Sequence, residues 1–282
     1  MQKCKDYLIN IDDVLEKKMH EYPFRDYLFG DKYIKYGGYD PKNFNLKETL
    51  NFFAKRYINP LSRKVDISNM RSCDCACGYG WFTFAFLLMG GSSKVSEPVI
   101  CIDIDPTRED IITDFARLFG LETKIRFLPG DISSLPFGDR EFDLFVSIET
   151  LEHVPIDLRR NALHEIARIS QYQLLTTPNK IWPIDYHDRK PIFFHWFDGR
   201  YLTQFEILKE MNAELLTNVY CFDSWEELES IYPLYWPYPG QEVKNINKLS
   251  LLPYKLLSLL SKKAGQYLMP QVQGIYRTRK ET

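Results

Sequence analysis

A turn of small residues, a few carboxylates and three histidines are the parts of this chain whose types and spacing could do chemistry. The turn lies in Ser72-Cys-Asp-Cys-Ala-Cys-Gly-Tyr-Gly-Trp-Phe82, where Asp74 precedes Ala76, Cys77, Gly78 and Gly80. Glycines serve where the backbone must bend sharply and let a ligand approach a place that a Cβ would fill. Downstream, Asp103 closes the apolar run Glu97-Pro-Val-Ile-Cys-Ile-Asp103. A carboxylate at such a strand end, about twenty residues past a glycine turn, can accept hydrogen bonds from both ribose hydroxyls of a nucleoside. Asp105 is the alternative at that place, or else it caps the helix that begins at Pro106. His153, His187 and His195 are candidates for proton transfer, because an imidazole titrates near neutrality.

These groups need elements to hold them. The turn is followed by Trp81-Phe-Thr-Phe-Ala-Phe-Leu-Leu-Met89, an amphipathic helical run, so the stretch reads strand, glycine turn, helix. That unit forms the ligand crevice at the carboxyl ends of strands in open α/β sheets. The spacing excludes the dinucleotide fingerprint, whose third small residue is replaced here by Thr83. The run ending at Asp103 lacks alternation, as expected of a parallel strand buried on both faces. A helix over 106–119 leads through Gly120 to a third strand, 124–128, and Phe142-Asp-Leu-Phe-Val-Ser-Ile148 reads as a fourth. A helix over 157–170 and a strand over 172–177 follow, then a helix over 201–211 and strands over 213–220 and 273–278. This order predicts an α/β, doubly wound sheet with right-handed crossovers.

The turn resembles motif I of the class I S-adenosylmethionine (SAM)-dependent methyltransferases, D-x-G-C-G-x-G. Asp74, Cys77, Gly78 and Gly80 match it, and Ala76 replaces the first glycine. Gly130-Asp-Ile-Ser-Ser-Leu-Pro-Phe137 is similar to the family's G-D-x-x-x-L-P-F segment. Phe142 to Val154 follows its F-D-x-V-x-S-x-x-x-L-x-H-V form, with Phe145 in place of an aliphatic residue. The resemblance spans residues 70–180. It implies a Rossmann-like sheet of seven mostly parallel strands, the last one antiparallel, with SAM as cofactor.

By that resemblance Asp74, Ala76, Cys77, Gly78 and Gly80 form the cofactor turn, and Asp103 with Ile104 holds the ribose. Asp131 accepts from the adenine amino group while the Ile132 N–H meets a ring nitrogen, unless Asp131 is only an Asx-turn residue. Ile148 and Glu149 line the methionine end. On a helix beginning at Glu149, Glu149 and His153 would share one face. His153 is then a candidate general base, or alternatively a capping or packing residue; His187 is a second candidate. The aromatic loop 182–196 follows a P-N-x-x-x-P-x-x-x-H … P-x-x-H-W layout similar to methyltransferases of cell-surface polysaccharide biosynthesis. Tyr36, Tyr186, His195 and Trp196 are candidate substrate contacts. Tyr33, Tyr36 and Tyr39 either close over the cofactor as a lid or pack the amino-terminal helices on the sheet.

Composition narrows the partners. Of 282 residues, 45% are hydrophobic and 26% charged, as in soluble globular proteins. A net charge of −2 argues against nucleic acid, which calls for a basic domain. Aromatics at 15% suit a stacking or lipid-like surface. The acceptor is expected to be a small molecule, a sugar or a lipid-linked compound, methylated at oxygen. The alternative is a non-catalytic SAM-fold scaffold.

The division expected is an amino-terminal helical cap over 1–67, with periodic Ile9, Ile11, Val14, Leu15 and Met19 and then Leu46, Leu50, Phe53 and Tyr57. The SAM-binding core covers 68–223, a helical insertion 224–270, and the final strand 271–282. The leucine-rich end of the insertion could lie on a membrane surface, form a homodimer face or wall the substrate pocket. No stretch is long and apolar enough to span a bilayer. Cys73, Cys75 and Cys77 lack a second C-x-x-C pair, so no metal site is expected, and reduced thiols suit a cytoplasmic protein. The residues Met1 to Asp6 lack a signal-peptide core.

Overall fold

The computed structural model describes residues 8–30, 39, 41–182, 196–197, 199–218 and 271–279. Seven strands form one sheet: β1 (Ser72–Cys75), β2 (Val99–Asp103), β3 (Ile125–Pro129), β4 (Phe142–Ile148), β5 (Ser170–Pro178), β6 (Ala213–Asn218) and β7 (Gln271–Thr278). Their order is β3-β2-β1-β4-β5-β7-β6. The first five are mutually parallel, and β7 runs antiparallel to both β5 and β6. This is the mostly parallel, doubly wound sheet that the sequence predicts. The chain builds outward from β1 to β3, then returns to the other side of β1 to start β4. That reversal is the switch point where α/β sheets open a crevice.

Eight helices are described: α1 (Asp13–Lys18), α2 (Phe24–Phe29), α3 (Leu46–Phe53), α4 (Asn59–Ser62), α5 (Trp81–Leu88), α6 (Arg108–Phe119), α7 (Arg159–Ile169) and α8 (Gln204–Glu210). One face of the sheet is covered by the amino-terminal helices together with α5 and α6, through Met19, Leu28, Leu50, Phe84 and Phe115. The other face carries α7 and α8, through Leu163, Ile166, Ile207 and Met211. Both faces of β4 are therefore buried, which explains why its sequence shows no alternation.

The amino-terminal periodicity is only partly a helix. Asp12 caps α1 by accepting from the Val14 N–H, so Ile9 and Ile11 lie ahead of the helix, and Val14 is 59% exposed. The second stripe continues as a wide π-helical turn over Ala54–Ile58 into α4, with Pro60 in that helix's first turn. The residue that would have ended a helix thus begins the next one, where its missing N–H costs nothing. Tyr39 packs against Phe44, Tyr79 and Trp81 and accepts a hydrogen bond from Trp81 Nε1 at 2.7 Å. Tyr39 thus packs as the packing alternative describes, while Tyr33 and Tyr36 lie outside the described residues. The insertion over 224–270, and with it the membrane, dimer and pocket-wall alternatives, lies outside the described residues. Among the described residues no helix is long and apolar enough to cross a membrane.

Candidate active site

The glycine turn joins β1 to α5 with its backbone in the left-handed region at Ala76 (φ 59°), Gly78 (φ 56°) and Gly80 (φ 76°). The two glycines are required for different reasons. A Cβ on Gly80 would lie 2.5 Å from Ile112 Cδ1, so α6 packs into the space it leaves. A Cβ on Gly78 would meet nothing within 4 Å, so that residue borders open space above the strand ends. Ala76 takes a left-handed conformation without glycine's freedom. Cys73 and Cys75 face the α7 side, whereas Cys77, beyond the left-handed Ala76, packs on the opposite face. The alternation of a strand, which puts Cys73 and Cys75 on one face, therefore does not extend to Cys77. All three, with Cys101, are free.

Asp103 sits beside this turn. Its Oδ2 accepts from the Gly78 N–H at 2.9 Å and its Oδ1 from the Asp105 N–H at 3.0 Å. Each oxygen keeps a second lone-pair direction. Asp105 instead accepts from the Thr107 N–H and hydroxyl at 3.0 and 2.7 Å, which shapes the entry to α6. Ile104 is 74% exposed. The Asp103 carbonyl accepts from the Gly130 N–H at 3.0 Å, bringing the next loop alongside. There Asp131 is exposed and its Oδ1 accepts from both the N–H and hydroxyl of Ser133 at 2.8 Å, an Asx-turn. Ile132 beside it is buried. Three consecutive strand ends thus gather Gly78, Asp103 and Asp131 along one edge.

Asp74 is buried beneath the turn and accepts from the Thr83 hydroxyl at 2.7 Å. Burial raises its carboxyl to about 7, against the lowering effect of that hydrogen bond. Thr83, the residue that breaks the dinucleotide fingerprint, is therefore the pin that ties the first turn of α5 to β1.

The other wall of the crevice follows β4. Since Asp74 is level with Val146 in the β1–β4 register, Ile148 and Glu149 come out beside the glycine turn. Glu149 is half-buried with φ 52°, its N–H bonded to the Thr176 carbonyl at 3.0 Å and its Oε1 accepting from the Thr176 hydroxyl at 2.9 Å. The helix expected to start at Glu149 is absent. A turn occupies 151–153, with the His153 N–H on the Thr150 carbonyl at 2.8 Å, and α7 begins only at Arg159. The left-handed Glu149 and Pro155, which disfavours helix in the residue before it, account for the break. Glu149 and His153 therefore share no helix face, and His153 is exposed.

What the motif's wildcard position concealed is Glu152. It is 4% exposed, and its Oε2 accepts from the buried Thr177 hydroxyl at 3.0 Å. Burial first, and then the Glu149 carboxylate, push its carboxyl well above the usual range. The loop is held by Arg159, a buried guanidinium that donates to the carbonyls of Val154, Gly199 and Glu152 at 3.0, 2.8 and 3.3 Å. Neither residue carries a recognisable motif; only the E-x-x-E spacing could have drawn attention to the first. Trp196 donates from Nε1 to the Trp182 carbonyl at 3.4 Å and is 40% exposed. Tyr36, Tyr186, His187 and His195 lie outside the described residues. Among the described residues no group of three or more His, Cys, Asp or Glu is placed to hold a metal ion.

A doubly wound sheet with an antiparallel seventh strand, a glycine turn at its switch point and a carboxylate on the next strand end make up the arrangement that the resemblance to class I SAM-dependent methyltransferases implies. Residues 73–172 match the family model described as a methyltransferase domain, and the chain carries a class I SAM-dependent methyltransferase domain with S-adenosylmethionine as that family's cofactor. Over 135 residues it is 29% identical to norajmaline N-methyltransferase of Rauvolfia serpentina, a match covering 46% of this chain and 44% of that one. The chain thus spans less than half the length of that relative. The methyltransferase solved in complex with the Trm112 methyltransferase activator of Haloferax volcanii aligns with a TM-score of 0.51 at 13% identity, over 84% of this chain and 94% of that one. A SAM-dependent methyltransferase from Aquifex aeolicus aligns at 0.42 and 16%, over 73% and 90%. At 13% identity the Haloferax volcanii match shows the fold alone.

The residues present fit this cofactor. The open side of Gly78 leaves room for a backbone approach, and Asp103 has acceptor directions to spare beside it.

Proposed function

We propose that this protein transfers the methyl group of SAM to a small-molecule, sugar or lipid-linked acceptor, at oxygen. The observation that carries the reading is the hydrogen bond from the Gly78 N–H to Asp103 Oδ2 at 2.9 Å, an arrangement that fits a ribose-holding carboxylate beside the glycine turn. SAM supplies an electrophilic methyl on a sulfonium. The chain's own task is to hold the two reactants in line and to take the acceptor's proton. In this reading Asp103 holds the ribose hydroxyls and Asp131 and Ile132 the adenine. Asp74, Ala76, Cys77 and Gly80 shape the turn, and Ile148 and Glu149 border the methionine end. His153, exposed on the turn after β4, is the proton acceptor, with His187 as the alternative.

Ser147-Ile-Glu-Thr150 stands where amino-directed nucleic-acid and protein methyltransferases carry an N-P-P-Y-type segment, which speaks against those two acceptor classes. The name of the Rauvolfia relative favours a second reading, a small-molecule nitrogen. Both fit a net charge of −2 better than a nucleic acid does. Calorimetry with SAM tests the cofactor, because a scaffold need not bind it. Incubation with methyl-labelled SAM and a panel of hydroxylated and amino acceptors then decides the atom. Absence of SAM binding by the folded protein would overturn the proposal.

A further inference from the structure

The glycine turn has a side chain at its centre that the proposed reaction leaves unused. Gly78 and Gly80 both stand in the left-handed region, at φ 56° and φ 76°, and a glycine moves from there to other conformations with little resistance. Tyr79 carries the side chain between them, and it is buried. Trp81, at the start of α5, stacks on its ring with centroids 6.1 Å apart and planes at 19°. Tyr39 meets the ring edge-on at 5.6 Å, and the Arg108 guanidinium of α6 lies over it, 5.1 Å from the centroid. The Tyr79 hydroxyl donates to the Tyr27 carbonyl in α2 at 3.0 Å. These partners are themselves tied together. Tyr27 donates from its hydroxyl to Asp114 of α6 at 2.7 Å, and Trp81 Nε1 donates to the Tyr39 hydroxyl at 2.7 Å.

The consequence falls on the neighbouring peptide. The Gly78 N–H that donates to Asp103 Oδ2 at 2.9 Å belongs to the residue just before the held ring. Holding Tyr79 restricts both glycines beside it, so that N–H is aimed before any ligand arrives. Without the ring, the ordering of the turn falls on the binding step instead. Ordering the backbone of one residue costs about a tenfold factor in an equilibrium constant.

Resting on the reading of Asp103 as the ribose carboxylate, we propose that Tyr79 is a positioning residue for the cofactor. Its ring, held by Trp81, Tyr39 and Arg108, fixes the Gly78 N–H against Asp103 and so sets the affinity for SAM. Its hydroxyl has the separate task of docking the amino-terminal helices through Tyr27.

The test is calorimetry with SAM, beside thermal melting, on the full chain as parent, Tyr79→Phe, Tyr79→Leu, Asp103→Ala and the double variant Tyr79→Leu with Asp103→Ala. Tyr79→Phe keeps the ring and should bind SAM within about twofold of the parent, while its melting temperature falls. Tyr79→Leu should weaken SAM binding about tenfold. In the Asp103→Ala background the same change should cost no more than about twofold, because the bond that the ring aims is already gone. Arg108→Met loosens the ring without removing it and should weaken SAM about threefold, which keeps the test open if Tyr79→Leu does not fold. A folded Tyr79→Leu that binds SAM like the parent would mean that Tyr79 only packs the helices, and would overturn the inference alone. Equal losses in the two backgrounds, or an equal loss in Tyr79→Phe, would also overturn it. An Asp103→Ala variant with parental SAM affinity would overturn the ribose reading, and this inference with it.

Discussion

Replacing Asp74 with Asn should change how the stability of the protein depends on pH. Asp74 is 3% exposed, and its carboxyl stands at about 7 against an ordinary 3.8 because burial disfavours the charge. Its proton affinity is thus higher folded than unfolded, so between those values the native state binds more protons than the unfolded one. Stability from this group is accordingly lost as pH rises from about 4 to about 7, not gained. At about 1.4 kcal/mol per unit, the span amounts to about 4 kcal/mol. Asn has nearly the same shape and keeps an oxygen for the Thr83 hydroxyl, which lies 2.7 Å from Asp74, but it cannot ionise. Urea denaturation of parent and Asp74→Asn at intervals from pH 4 to 8 isolates the group, since every other titration appears in both. The expected difference moves in favour of the variant as pH rises, by up to about 4 kcal/mol, and levels off above pH 7. Parallel curves, with a constant difference at all pH values, would refute the assignment of that proton to Asp74.

Other substitutions probe the rest of the crevice. Asp103→Ala should weaken SAM binding at least about tenfold in calorimetry, given about 1.5–3 kcal/mol for each charge-assisted hydrogen bond, while Asp105→Ala leaves binding within about twofold. The opposite pattern would mean that Asp105 holds the ribose. Ala76→Gly relieves a left-handed alanine and should raise stability by about 1 kcal/mol in the same urea assay. Arg159→Met strands three carbonyls that the guanidinium now satisfies and should cost about 3 kcal/mol, read as a lowered melting temperature. With an acceptor in hand, His153→Gln should lower kcat by about 10²-fold with SAM affinity unchanged; full turnover would remove His153 from the site.

The parts legible in the sequence were those that depend on local chemistry. Asp74, Gly78, Gly80, Asp103 and Asp131 occupy turns and strand ends whose spacing follows from the length of a βα unit, so the sheet could be anticipated from apolar runs and glycines alone. Periodicity is also local, yet it misplaced α1 and the segment after β4, because a cap at Asp12 and a left-handed Glu149 interrupt patterns that composition continues. The tertiary structure sets Asp103 and Asp105 apart: the packing of β1 against β2 brings Asp103 to the Gly78 N–H, while Asp105 turns to Thr107. It also decided the fate of Thr83, Glu152 and Arg159. A threonine pinned to Asp74, a glutamate buried against Thr177 and an arginine turned onto backbone carbonyls are ordinary residues in sequence. Each acquires its role from partners brought near it by the fold, because burial and electrostatic contact depend on distance in space, which spacing along the chain does not record.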